Sequence, residues 1–109
     1  MINYDEFSKI EIRAGKILSA EKVPETEKLL KLLVDFGEGK PRQIVSGISL
    51  YFPNPEELVD VVCAFVTNLE PRVIRGLESQ GMILAVSTPE GRFSLLKTEQ
   101  DIPAGAKAK

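Results

Sequence analysis

The sequence predicts an all-β chain that closes into a small barrel, and three observations predict it. Short apolar runs, several of them alternating with polar residues, follow one another across about 90 residues in the manner of five or six strands. One helical turn falls between the third and fourth runs. The first run carries a glycine in its middle, which suits a bulged or sharply bent strand better than a flat one. Short strands in that number bury their apolar faces by folding the sheet over itself.

Each element can be justified in order. KIEIRAGKILSAEKV places Ile10, Ile12 and Ala14 on one face by alternation and Lys9, Glu11 and Arg13 on the other; Gly15 interrupts the pattern, and Ile17 and Leu18 resume it. KLLKLLVDFGEGK sets Leu30, Leu32, Val34 and Phe36 at period two and ends in the turn from Gly37 to Gly39. Leu29 and Leu33 leave a short helix open there, and the strand reading is favoured. RQIVSG is the third strand, and Pro53 and Pro55 forbid a regular helix across ISLYFPNPEEL. A helical turn starting near Pro55 with Glu56 and Glu57 in its first turn fits the helix dipole. DVVCAFVTNL, nearly all apolar and β-branched, reads as the central strand, buried on both faces. MILAVS and RFSLLKT form a hairpin through Thr88, Pro89, Glu90 and Gly91, and the tail DIPAGAKAK is expected to be mobile at its end. Five strands with a helix between the third and fourth is the order of an oligonucleotide/oligosaccharide-binding (OB) barrel, a Greek-key fold. A single domain over 1–109 is expected, with the barrel at about 8–88 and a C-terminal extension at about 89–109.

Composition removes several function classes. The chain has no histidine and one cysteine, so an internal disulfide is impossible and the usual metal ligand and general base are missing. Cys63 lies inside VVCAFV, where a thiol is a packing group. Asp35, Glu38 and Asp60 are scattered, Ser46 has no histidine to activate it, and a serine–lysine pairing with Lys16 or Lys40 has nothing specific behind it. GEGK at 37–40 lacks the spacing of a phosphate loop. No catalytic, metal or cofactor site is therefore expected. The N-terminus has no signal or transit pattern and no apolar run is long enough to span a bilayer, so a cytoplasmic location without a membrane partner is expected.

The segment NLEPRVIRGLESQGM, residues 68–82, stands apart. Asn68, Arg72, Arg75 and Ser79 offer donors that phosphates and base edges accept, framed by glycines that let a backbone approach closely. Arg42 and Ser46 on the third strand are placed to converge with it. The alternative is a long surface loop with solvated charges. A net charge of −2 excludes a binder working by bulk positive charge, and two tyrosines with five phenylalanines supply little stacking material. Tyr51 is the freest of these, the others falling where a core or an interface would use them. Recognition of folded RNA by shape, phosphate and a few base edges fits that balance.

These residues carry a family resemblance. The words Glu11-Ile12-Arg13-Ala14-Gly15, Pro24 with Lys28-Leu29-Leu30, Ile44 to Gly47, and N-L-x-P-x-x-x-R-G-x-x-S-x-G-M from Asn68 to Met82 closely resemble the tRNA-binding domain of the methionyl-tRNA synthetase C-terminal and endothelial monocyte-activating polypeptide type, over nearly the whole chain. The same domain occurs as small stand-alone tRNA-binding proteins. The resemblance implies an OB barrel with a C-terminal extension, commonly a homodimer, that binds tRNA without strict sequence choice and assists a synthetase catalytic body. It implies an RNA site of Asn68, Arg72, Arg75, Ser79 and Met82, with Arg42 and Ser46 nearby and Lys28 and Lys16 further out. Glu70 stands where the family often has lysine, which implies modest, salt-sensitive affinity. CsaA-type export chaperones, which bind unfolded polypeptides, resemble the same domain, and SQGM at 79–82 favours the RNA-binding branch. A structural dimerisation module of a synthetase is the third alternative. A dimer through the tail from Arg92 onward is expected because RFSLLKT brings apolar residues beyond the five barrel strands.

Overall fold

The computed structural model describes residues 1–109. In chain order it contains a short helix α1 (Tyr4–Phe7) and the strands β1 (Ile12–Lys22), β2 (Leu30–Asp35), β3 (Arg42–Ser46), β4 (Val62–Val66), β5 (Arg72–Ile74), β6 (Leu77–Ser79), β7 (Met82–Ile83), β8 (Ala85–Ser87) and β9 (Phe93–Leu95). Five of them form the barrel sheet in the spatial order β3-β2-β1-β4-β7, all pairs antiparallel. Two 3-10 turns, Ser49–Tyr51 and Pro55–Leu58, connect β3 to β4. The turn begins at Pro55 as the sequence predicts, and Leu58 is buried in the barrel core.

β2 is legible residue by residue, since Leu30, Leu32, Val34 and Phe36 are all buried, and each alternate side chain enters one core with Ile17, Ile44, Cys63, Phe65, Ile83 and Leu95. Phe36 meets Phe65 edge-on, with ring centroids 5.2 Å apart at 88°.

The sheet's centre is β1, a correction to the expectation that DVVCAFVTNL lies there. β1 is shared: Ile12 to Lys16 pair with β4, and Lys16 to Lys22 pair with β2. A bulge between Ile17 and Ser19 bends it, and the bend rolls the sheet into a barrel. The facing of β1 also differs from the alternation read in the sequence. Gly15 and Ile17 face the core, while Ile10 lies outside the strand and is exposed. Gly15 does not interrupt the pattern; it is the core residue, and a Cβ there would stand 2.6 Å from the Phe36 ring, 2.7 Å from Val34 and 2.9 Å from Phe65.

The C-terminal residues close what β2 leaves open. β8 and β9 form the expected hairpin, with the Thr88 amide donating to the Arg92 carbonyl at 3.0 Å. The chain then runs along β4, the Ala64 amide donating to Leu96 and the Thr98 amide to Val62. The tail, expected to be mobile, pairs with the first residues of β1. The Ala14 amide donates to the Ala106 carbonyl at 2.8 Å, and the Gly105 and Ala108 amides donate to Ala14 and Ile12, each at 2.8 Å. The reason is geometric: β2 leaves β1 beyond Lys16, so that edge needs another partner. Ala14 is buried, and both its backbone groups are bonded to the tail.

α1 was not foreseen, although its cap is written in the sequence. Asn3 and Glu6 form a capping box, the Asn3 side chain accepting from the Glu6 amide at 2.9 Å. Tyr4 is 78% exposed and Phe7 is also exposed, so neither belongs to the core. No helix is long and apolar enough to cross a membrane.

Candidate nucleic-acid interface

Within residues 68–82 the chain folds into a hairpin, Arg72 to Ser79, with a two-residue turn. β5 pairs with β6 through Arg72↔Ser79, Val73↔Glu78 and Ile74↔Leu77. Arg75 and Gly76 form the turn with φ of 52° and 79°. Two successive left-handed residues match the hand of twisted strands, and Asn-Gly is the favoured pair. Gly76 adopts this conformation freely, whereas Arg75 does so against the Cβ clash that costs a non-glycine residue roughly 1–2 kcal/mol.

Several residues expected at the RNA site hold this hairpin to the barrel. The Asn68 side chain accepts from the Glu11 amide at 2.8 Å and donates to the Lys9 carbonyl at 2.7 Å, fixing the approach to β1. Ser79 is buried; its hydroxyl accepts from the Val45 amide at 3.0 Å and donates to the Gly81 carbonyl at 3.1 Å. With the Gln80 amide donating to Gln43 at 2.8 Å, these bonds close the barrel along the free edge of β3. Arg42 is the staple of this seam. Its guanidinium forks onto Glu38 at 2.9 and 2.7 Å, reaches the Thr67 carbonyl at 2.7 Å and the Gln80 carbonyl at 3.2 Å, and lies over the Phe36 ring. The bonds to Glu38 raise the Arg42 pKa and lower that of Glu38. Gly81 passes so close that a Cβ would stand 3.0 Å from the Val66 carbonyl.

The remaining candidates divide by location. Arg72 lines a groove with Leu69, Glu70, Ile74 and the exposed Met82. Arg75, at the hairpin tip, separates two clefts against the β1–β2 connection. One is lined by Lys22, Pro24 and Lys31, the other by Thr26, Lys28 and Leu29, with Glu21, Glu25 and Glu27 among them. Lys28 thus joins the hairpin; Lys22 and Lys31 were missed, because only the folded β1–β2 connection brings them to Arg75. Ser46 ends β3 opposite Leu30, half-buried. Lys16 sits on β1 between Asp35 and Val62, ion-paired with Asp60 at 3.7 Å, and lines neither cleft. The ion pairs of the chain involve Arg13, Lys16, Lys31 and Arg42, so Arg72, Arg75 and Lys28 are cations without a paired carboxylate.

Cys63 is fully buried, and burial pushes its thiol up to about 12, which makes it inert as a nucleophile. No group of histidine, cysteine and carboxylate side chains is gathered that could hold a metal ion.

A bent antiparallel barrel closed by a motif-bearing hairpin defines the class as an OB-type barrel. The family model for "Putative tRNA binding domain" matches residues 12–107, and the chain belongs to that family. This bears out the resemblance to the tRNA-binding domain of the methionyl-tRNA synthetase type. The chain is 52% identical over 106 residues to the methionine–tRNA ligase of Methanospirillum hungatei, covering 97% of this chain and 15% of that protein. It therefore spans a small fraction of the length of such ligases. Among solved structures, the MetRS-related protein from Pyrococcus horikoshii superimposes with a TM-score of 0.92 at 40% identity, covering 100% of this chain and 98% of the other. The chaperone CsaA from Bacillus anthracis superimposes with a TM-score of 0.88 at 28% identity, covering 100% and 99%.

Proposed function

We propose that the chain is a non-catalytic tRNA-binding module that recognises folded tRNA by shape and phosphate contacts and assists a methionyl-tRNA synthetase, in cis or in trans. The observation that carries this is the state of the hairpin's cations. Arg42 is spent on internal bonds, whereas Arg72 and Arg75 stand unpaired on a hairpin whose seam to β3 is fixed by Ser79, Gln80 and Arg42. Two guanidiniums on a rigid support lose little freedom when they grip phosphate oxygens. Lys28 extends the line, Met82 offers an apolar edge, and Asn68, Ser79 and Arg42 act by holding the shape, with Ser46 at the end of β3 beside them. Lys16 lies apart.

Both clefts beside Arg75 are lined largely by charged and polar side chains, which suits a phosphate backbone better than an unfolded apolar segment. The likeness to CsaA shows that the barrel alone does not decide between the two ligands; the hairpin chemistry supports RNA. With two or three phosphate contacts, a plot of log affinity against log salt is expected to slope at about −2 to −3. Arg75→Ala is expected to weaken different tRNAs alike and to reduce that slope by about 1. Loss for one tRNA alone means base readout, and no binding at low salt rejects the proposal.

Self-association from Arg92 onward rests on less surface than the sequence suggests. Leu95 is buried within the chain and Phe93 is half-buried, leaving Leu96 as the exposed apolar residue of that run. We keep a homodimer through Leu96 as a proposal; sedimentation showing a monomer at high concentration rejects it.

A further inference from the structure

Three of the seven aromatic residues, the neighbours Tyr51 and Phe52 and the distant Phe93, meet at the edge of the core. Tyr51 stacks on Phe93 with ring centroids 4.0 Å apart and planes within 7°, and Phe52 meets Phe93 edge-on at 5.9 Å. These rings line an open cleft of about 310 Å³ together with Gly91, Ser94, Leu95 and Lys97. On the other side of Phe93 and Ser94 a second cleft is lined by Arg92, Thr88 and Val86. Neither lining contains a carboxylate, and neither Lys97 nor Arg92 takes part in an ion pair. Tyr51 keeps 46% of its surface exposed although its ring is held flat against Phe93. A tyrosine preorganised in this way is a platform for a further flat ring, and flanking cations without acidic neighbours match a phosphodiester.

The position of the cleft selects among flat ligands. The Ser49 amide, in the turn that carries Tyr51, donates to the Lys28 carbonyl at 2.9 Å, and Lys28 shares a cleft with Arg75. The turn that carries Tyr51 is thus tied through the backbone to the segment that carries Lys28, which lies beside the hairpin tip. We propose that this cleft is a stacking site for an unpaired nucleotide of the bound RNA, its base on the Tyr51 face and its phosphate held by Lys97, with Arg92 further along the strand. The proposal rests on the RNA-binding reading given above and adds a second, single-strand-specific site to it.

The chain contains no tryptophan, so Tyr51→Trp installs a single tryptophan at the site, whose emission is excited apart from that of Tyr4. The expected result is saturable quenching by a short oligoadenylate, absent when the same strand is held in a duplex and weakened by Lys97→Ala. Tyr51→Ala is expected to lower tRNA affinity by about tenfold while the fold, followed by circular dichroism, is retained. Unchanged fluorescence with the oligoadenylate while tRNA still shifts in a gel overturns the stacking site and leaves the hairpin reading standing. A fluorescence change that depends on protein concentration alone, without RNA, overturns it in favour of a second copy. Quenching by the oligoadenylate without any tRNA shift supports the cleft and sinks the tRNA reading, so the two failures are separable.

Discussion

Arg75 holds a left-handed backbone conformation in a turn where asparagine or glycine costs less, and its side chain makes no ion pair within the chain. A strained residue with an idle side chain is what the phosphate-gripping role proposed above calls for. Arg75→Asn is therefore expected to leave stability equal or up to about 1 kcal/mol higher, while tRNA affinity falls. Thermal unfolding and a binding titration on one preparation check it, and a loss of stability contradicts the strain argument. At this scale the sequence offers the donors but not the internal bonds that some of them make. Asn68, Ser79 and Arg42 look like ligand donors because their chemistry suits a phosphate. Their partners, the carbonyls and amides of Lys9, Glu11, Val45, Thr67 and Gln80, lie far away in sequence, and only closure of the barrel supplies them. Tyr51 reads as the freest aromatic for the same reason: Phe93 reaches it only after β9 has formed.

Among the elements, β2 was legible because each of its alternate residues faces one core, so period two appears without interruption. β1 was less so. It changes partner at Lys16 and bulges after Ile17, and its core residue at the crossing is a glycine that hydropathy does not register. The consequence is testable: Gly15→Ala adds a methyl group against Phe36, Val34 and Phe65, an overpacking expected to cost about 1–3 kcal/mol in chemical denaturation. An unchanged midpoint means that these side chains yield freely and that Gly15 does not set the barrel's tightness. The tail escaped detection because small residues carry no pattern, and its binding to β1 is by backbone alone. The hairpin β5–β6 was likewise masked, since Arg75 stands where the turn signal would place asparagine.

For the molecule as a whole, Thr67 at the end of β4 joins two local ion pairs, Glu11–Arg13 at the first strand and Glu38–Arg42 across the β2–β3 turn, its hydroxyl bonded to Glu11 and its carbonyl to Arg42. The Thr67 hydroxyl, which donates to Glu11 at 2.6 Å, lowers the Glu11 pKa, and the Arg42 guanidinium lowers that of Glu38. A carboxylate whose pKa is lower in the folded chain contributes stability that is fully present above the ordinary glutamate range and disappears as pH falls through the folded value. The stability gap between the chain and Thr67→Val is thus expected to be widest near neutral pH and to narrow under acid. A gap that does not change with pH contradicts the role of that bond.

The same seam fixes the hairpin that presents Arg72 and Arg75, so the central claim concerns what the finished surface selects. The most direct measurement is a gel mobility-shift titration of the chain at low salt against total tRNA, a structured RNA that is not tRNA, and an unfolded polypeptide as competitor. The expected result is a tRNA complex that salt dissolves, that Arg72→Ala with Arg75→Ala abolishes, and that the unfolded polypeptide does not displace. Displacement of tRNA by the polypeptide, or no tRNA complex at all, contradicts it.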